Sequence, residues 1–279
     1  MKNINLVGWL RNWFYTKEEI DLLLQNHQPS TPVVSKILLT TDKPILSHYD
    51  NDSCTLTATL LDSNNNGVSG EEIVFKANSE LLTTVITNDN GVAQCTYQST
   101  GVGDVTITAE CMNLTKTLSI EDCFYANLPE QSISNSSITV YSALCTGIED
   151  IMDSNFVLEF DINSISGNGG GLNIGAKSQY TPPSTANYRI FVGIDGTKFN
   201  LNNRSSTSSP TNGSTISTNT YYHMELVKNG GTFSASVDND SAFGSKTPNW
   251  ISNYPEYDLY IIGWTNANMK IKNIKIKPL

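Results

Sequence analysis

Between residues 35 and 121, apolar and polar positions alternate with a period of two, the pattern of strands that lay one face on a core. "SCTLTATLLD", "EEIVFKA", "LLTTVITNDNGVAQCTYQ" and "VGDVTITAE" predict strands. "DSNNNGVSG" and "NDNG" predict turns, where Asn and Gly accept positive φ. The alternation returns between 135 and 279, in "NFVLEFDINS", "GGGLNIGAK", "NYRIFVGIDG", "KFNLNN", "TYYHMELVKNGG", "TFSASVDN", "YDLYIIGWT" and "NMKIKNIKIKPL". These strands are short and parted by Asn, Gly, Ser and Pro, which predicts a sandwich of the jelly-roll kind. Residues 122–134 show no clear period and predict a join, and "GNGGG" at 167–171 predicts a flexible loop.

The N-terminus breaks the pattern. "FYTKEEIDLLLQNH" predicts a helix within segment 1–28, with Thr16 as its cap, Glu19 completing a capping box and Tyr15 stapled to Ile20. Ile20, Leu23 and Leu24, widened by Leu22, form an apolar stripe. A helix of about ten residues is marginal alone in water, so the stripe needs a partner. That partner is either the next domain of the same chain or further copies and a larger assembly. The Pro-rich linker at 29–34 sets the helix apart and favours the second. The chain is therefore expected to be all-β with a short N-terminal helix: an immunoglobulin-like sandwich at 35–121, the join at 122–134, and a jelly-roll sandwich at 135–279.

Charge narrows the function. Seventeen Lys and Arg against 27 Asp and Glu give a net charge of -10, with no basic stripe to neutralise phosphates, so no nucleic-acid partner is expected. No run of 18 apolar residues exists, so no membrane insertion is expected. "MKNINLVGWLRNW" lacks the small-residue cleavage site of a signal peptide, which leaves an internal protein or one carried out without a signal, as on a virus particle. None of the five cysteines forms a C-x-x-C pair, so no zinc and no cofactor are expected. A structural calcium ion on Asp and Asn oxygens stays open, although no EF-hand spacing exists. Cys54 and Cys95 share parity with core positions, as two buried free thiols or as a disulfide joining the two sheets.

Of the three histidines, His27, His48 and His223, none sits in a motif with a nucleophilic Ser or Cys. Glu159 and Asp161 place two carboxylates on one strand face, but the third position of an E-x-D-x-x-E motif is Ser164. No catalytic residue is therefore assigned. Binding is the better reading. Sugars are held by aromatic faces under their C–H surfaces and by amides on their hydroxyls. Trp250, Asn253, Tyr254 and Tyr257 in one stretch, Trp264 and Asn266 in another, and Tyr180 in a loop supply both kinds. The alternative for Trp250 and Trp264 is a place in the core.

Three resemblances follow. "TATLLDSNNNGVSGEEIVFKA" with "TNDNGVAQCTYQSTGVGDVTITAE" resembles the bacterial immunoglobulin-like domains of the invasin and intimin type, with Asp62, Gly67, Gly70, Thr87 and Gly91 at turn positions. That resemblance implies a rigid spacer or adhesive module. "FVLEFDI", "YYHMELVKNGGTFSASVDN" and the closing "KIKNIKIKPL" resemble concanavalin-A-like lectin domains, a fold whose last strand returns beside its first and which also houses glycan hydrolases. Tyr15, Thr16, Lys17, Glu19, Ile20, Asp21, Leu23 and Leu24 resemble the short helices of tail-fibre and baseplate proteins of tailed viruses. Together they imply a virion-surface receptor-binding protein, made in the host cytoplasm. Its N-terminus would join a tail, baseplate or capsid protein, with homotrimers formed through Tyr15, Ile20, Leu23 and Leu24, and its tip would bind host cell-surface glycan. The alternatives are a cellular surface adhesin and a glycan hydrolase.

Overall fold

A computed structural model of the chain describes residues 16–26, 33–101, 103–134, 138–141, 154–176, 189–204, 211–238, 244–248, 257–264 and 266–279. Tyr15, Tyr180, Trp250, Asn253 and Tyr254 lie outside the described residues, and Ile20, Leu23, Leu24 and Tyr257 are described in their backbone alone. Helix α1 spans Lys17–Asn26. Its capping box is formed: Thr16 N donates to Glu19 Oε2 at 2.7 Å, and Glu19 N donates to Thr16 Oγ1 at 3.3 Å. The bonds from Thr16 hold the Glu19 carboxyl below its ordinary range.

The first sandwich contains β1 (Lys36–Thr41), β2 (Ile45–Ser47), β3 (Ser53–Leu61), β4 (Glu72–Ala77), β5 (Glu80–Ile86), β6 (Val92–Gln98), β7 (Gly103–Cys111) and β8 (Leu114–Cys123). Strands β1-β3-β6 make one sheet and β2-β8-β7-β4-β5 the other, all neighbours antiparallel except β2 and β8. Leu56, Ala58 and Leu60 from one sheet meet Ile73, Phe75, Ile107 and Ala109 from the other in a closed core. The five predicted turn residues do turn work. Asp62 Oδ1 accepts from the backbone of Asn64 and Asn66, both at 2.8 Å. Thr87 Oγ1 donates to Val68 O and accepts from Glu71 N, and Gly70 and Gly91 take φ of 80° and 74°. A Cβ on Gly67 would lie 2.1 Å from Asn90 O.

Cys54 and Cys95 do not form the inter-sheet disulfide. Cys54 stands opposite Tyr97 and Cys95 opposite Leu56, on neighbouring strands of one sheet, so the two cannot link facing sheets. Both are free thiols, Cys54 buried and Cys95 half-buried. Burial, and next the adjacent Cys54, push the Cys95 thiol up to about 11, which leaves it a weak nucleophile at neutral pH.

The second sandwich contains β9 (Tyr125–Asn127), β10 (Gln131–Ser134), β11 (Ile138–Tyr141), β12 (Phe156–Ser166), β13 (Gly169–Ala176), β14 (Arg189–Asp195), β15 (Lys198–Arg204), β16 (Thr211–Thr215), β17 (Tyr221–Asn229), β18 (Thr232–Val237), β19 (Ser245–Lys246), β20 (Tyr257–Gly263) and β21 (Asn268–Pro278). One sheet runs β10-β21-β12-β17-β18-β19, with β9 also on β21, and the other runs β11-β20-β13-β14-β15-β16. The last strand does lie beside the first long one, β12. Leu158, Phe160, Ile162, Leu226 and Ile274 face Leu172, Ile174, Val192, Leu201 and Ile261 across the core.

Two local readings change. Residues 122–134 are mostly strand rather than patternless: Tyr125 and Ile133 reach the second core from β9 and β10, strands too short to show a period. Residues 169–171 open β13, as the strand reading of "GGGLNIGAK" has it and the loop reading of "GNGGG" does not, and glycine is needed there because a Cβ on Gly171 would lie 2.2 Å from Val192 O.

The junction of the sandwiches is polar and closely bonded. Asp122, completely buried, accepts from Tyr97 Oη at 2.7 Å, Thr100 N at 2.9 Å, Thr100 Oγ1 at 3.1 Å, Gly101 N at 3.2 Å and from the Ser99 hydroxyl. Next to it, Lys275 Nζ sits 2.7 Å from Glu121 and 3.5 Å from Glu159, while Lys277 Nζ sits 3.1 Å from Glu159. Burial works against the charge on both lysines, but Glu121 and Glu159 outweigh it and hold them above the ordinary lysine value. A cavity of about 170 Å³ lined by Phe124, Phe156, Ile276 and Pro278 opens there. It falls short of the roughly 300–1,000 Å³ of ligand pockets.

Candidate carbohydrate site on the second sandwich

Two sheet faces of the second sandwich point away from its core, and they differ in how their polar groups are satisfied. The face built on β12, β17 and β21 is charged and internally paired. Glu159 is taken by Lys275 and Lys277. Asp161 Oδ2 accepts from Asn273 Nδ2 at 2.7 Å, and its Oδ1 lies 2.9 Å from His223 Nδ1. Glu130 pairs with Lys270 at 2.6 Å and accepts from the Tyr221 hydroxyl. Lys270 and then Tyr221 hold the Glu130 carboxyl below its ordinary range, while burial and then Glu130 push Tyr221 up to about 12. Lys272 Nζ lies 4.0 Å over the Tyr221 ring. Glu159 and Asp161 thus share a strand face as predicted, but each is spent on cations or an amide, and Ser164, the incomplete third position, is buried on the other side.

The face built on β20, β13, β14 and β15 is different. Leu172 and Ile174 point into the core, so Asn173 between them points out, and the same alternation turns out Phe191, Asn202 and Tyr260. Register sets these four side by side: Asn173 lies opposite Tyr260 on one neighbour and Phe191 on the other, and Phe191 lies opposite Asn202. The next row is Ile262, Gly171, Gly193 and Asn200. The paired glycines leave the floor of that row free of side chains. Trp264, at the end of β20, rests on Phe191 with ring centroids 5.4 Å apart.

This outward face is nonetheless enclosed. Asn173 is 0% exposed, Tyr260 1% and Phe191 2%, so the chain itself covers them. Neither the oxygen nor the nitrogen of the Asn173 amide has a hydrogen-bond partner, and Asn202 Oδ1 has none. Buried polar groups in folded proteins are paired in the great majority of cases, so an orphaned amide marks a place for a water or a ligand. The row therefore combines aromatic surface with amides that still need donors and acceptors.

Among the residues chosen from sequence, Trp264 and Asn266 are described with their side chains. Trp264 is half-buried beside the row, and Asn266 is exposed at a turn with φ of 61°. Tyr257 begins β20, the strand that carries Tyr260. Asn173, Phe191, Asn202 and Tyr260 were missed. Their signal was "RIFVGI" and "LYIIG", runs apolar at successive positions, which mark strands buried on both faces. Among the described residues no group of three or more His, Cys, Asp and Glu could hold a metal ion.

Residues 39–121 match the family model of the bacterial immunoglobulin-like domain, group 1. No curated protein matches the chain. Among solved structures, the carbohydrate-binding module CBM66 from Bacillus subtilis is similar at 16% identity over 65% of this chain and 99% of that one, with a TM-score of 0.31. Trypanosoma rangeli sialidase in complex with 2,3-difluorosialic acid is similar at 13% identity over 88% and 51%, with a TM-score of 0.42. The C-terminal fragment of intimin, in complex with the intimin-binding domain of its translocated receptor, is similar at 14% identity over 77% and 65%, with a TM-score of 0.30. All three are too distant for their ligands to bear on this chain.

Proposed function

We propose that the protein is an adhesion molecule that binds carbohydrate through the outer face of β20, β13, β14 and β15. The observation that carries this reading is the Asn173 amide, completely buried and without a partner between Tyr260 and Phe191. Leaving such a group unsatisfied costs roughly 1–3 kcal/mol. A hydroxyl-rich ligand would remove that cost, because a sugar hydroxyl both donates and accepts, while Trp264, half-buried and resting on Phe191, offers ring surface to its C–H groups. Residues 29–34 link the helix to the first sandwich, which is the spacer, and the second sandwich, which takes in β9 and β10 from residues 122–134, forms the binding tip. The immunoglobulin-like match at 39–121 supports the spacer role.

The finer reading places the protein on a virion surface. Segment 1–28 would attach it to a tail, baseplate or capsid protein and trimerise through Tyr15, Ile20, Leu23 and Leu24. Support comes from the formed capping box, which shows a helix end built to fold, and from the 59% exposure of Leu22 on that helix. Light scattering on the full chain should report three copies, and a monomer at high concentration would remove this arm. Several weak sites on one particle raise avidity by roughly 10²–10⁴ without new contacts.

The test of binding is a glycan array probed with the full chain and with Trp264→Ala. Wild type should bind a defined group of glycans, and the variant should bind them about tenfold more weakly with an unchanged circular dichroism spectrum. Equal binding by the two would contradict the site.

A further inference from the structure

We propose that the two sandwiches are locked into one arm of fixed angle, with Glu121 as a charge latch and Tyr49 as a wedge across their junction. Such an arm fixes where the second sandwich points whatever ligand it takes, and so stands apart from the carbohydrate reading. Tandem domains of one chain move against each other by default, unless their interface ties them. Here a single residue, Phe124, separates β8 from β9. β8 belongs to a sheet of the first sandwich and β9 lies on β21 of the second, so one run of chain from Leu114 to Asn127 is built into both. A hinge would have to act at Cys123 and Phe124, where the backbone is already taken. Cys123 O accepts from His48 N and Phe124 O accepts from Tyr49 N, both at 2.9 Å. These bonds carry the parallel pairing of β2 with β8 past the end of the first sandwich.

Side chains close the same joint. The Tyr49 ring leaves the first sandwich and packs on the second core, edge-on to Tyr125 with centroids 6.2 Å apart. The His48 ring stands 6.2 Å from that of Phe124, and its Nδ1 lies 3.0 Å from Ser99 O in the turn between β6 and β7. That turn is itself held on Asp122 through Thr100 N and Gly101 N. Glu121 supplies the electrostatic part. It belongs to the first sandwich, yet its partners, Lys275 at 2.7 Å and Lys277 at 3.7 Å, belong to the second. β9 is registered on β21 with Ala126 opposite Lys275, so the strand that carries Glu121 brings it to that lysine. Exposed ion pairs contribute little. Lys275, however, is only 15% exposed, and Glu159 holds both lysines from within the second sandwich. Bending the joint would strip a half-buried carboxylate of its cations, two backbone carbonyls of their donors and an aromatic ring of its core contacts, all at once.

The experiment is measurement of backbone residual dipolar couplings on the full chain in a dilute aligned medium. In the wild type one alignment tensor should fit the amides of both sandwiches. Two tensors of unequal magnitude would overturn the locked arm. Glu121→Lys combined with Tyr49→Ala sets like charges against Lys275 and Lys277 and removes the wedge. In that double variant each sandwich should still fit a tensor of its own, while the shared tensor is lost. A double variant that keeps the shared tensor would overturn the assignment of the lock to these two residues. Lys76→Gln, which breaks the pair with Glu110 inside the first sandwich, should keep the shared tensor. The couplings within each sandwich report its folding in the same spectra, and the wild-type result decides the locked arm whether or not the double variant folds.

Discussion

Replacing Asp122 by Ala is expected to lower the stability of the first sandwich by at least about 3 kcal/mol, because several buried donors lose one shared acceptor. Tyr97 Oη, Thr100 N, Gly101 N and the Ser99 hydroxyl all converge on that carboxylate. Among the described residues the Tyr97 hydroxyl has, besides Asp122, only Thr100 Oγ1 within reach, at 3.4 Å. For a domain of 60–100 residues a loss of this size moves the melting midpoint down by roughly 12 °C or more. The effect has a definite pH dependence. Burial alone would raise the Asp122 pKa, but the bonds from Ser99, Thr100, Tyr97 and Gly101 outweigh it and leave the carboxyl below its ordinary value. A group whose folded pKa is depressed stabilises fully above its unfolded pKa, near 3.9 for Asp, and loses that contribution as pH falls through the folded value. The gap in midpoint between wild type and Asp122→Ala should therefore be constant near neutrality and close below about pH 4. Calorimetric melting at a series of pH values checks it, and a gap that is small at pH 7 would show that the junction tolerates the loss.

The second large effect concerns Gly171. Its Cβ, if present, would lie 2.2 Å from Val192 O and 2.7 Å from Gly193 Cα, both backbone atoms of the neighbouring strand. A flexible side chain could move aside, but here β13 and β14 would have to part, and the row of Asn173 and Phe191 would part with them. Overpacking usually costs about 1–3 kcal/mol. A contact this short against backbone should cost more, and Gly171→Ala should lose the cooperative melting of the second sandwich. Gly196→Ala is the control. Gly196 takes φ of 60°, with nothing within 4 Å of its Cβ position, so only the left-handed strain of about 1–2 kcal/mol applies. If both variants melt alike, the close strand approach is not what requires glycine at 171.

The sequence shows the strands of the sandwiches where one face is wet and one dry. "TLTATL" alternates cleanly because β3 has core on one side only, and burial follows it position by position. The capping box at Thr16 and Glu19 is equally local, since both partners lie within one helical turn. The candidate site is another matter. Its residues sit on strands buried on both faces, so the period that marks orientation is missing from "RIFVGI". Its composition also depends on register between distant segments: Asn173 meets Tyr260 and Phe191 only because β13 pairs with β20 and β14 at those offsets. Sequence proximity instead drew attention to the aromatic stretch around Trp250, and of that reasoning Trp264 is the residue the described site contains. The disulfide reading failed for the same cause. Parity places Cys54 and Cys95 on the inner face of their strands, but it says nothing about whether two strands share a sheet.

The claim that this face holds a saccharide is tested most directly by nuclear magnetic resonance of the full chain, with the side-chain amide of Asn173 and the indole of Trp264 assigned. Adding a glycan that the chain binds should shift both signals together and leave the signals of His223 and Asn273, on the opposite sheet, in place. Shifts confined to the His223 and Asn273 side, with Asn173 unmoved, would contradict the account.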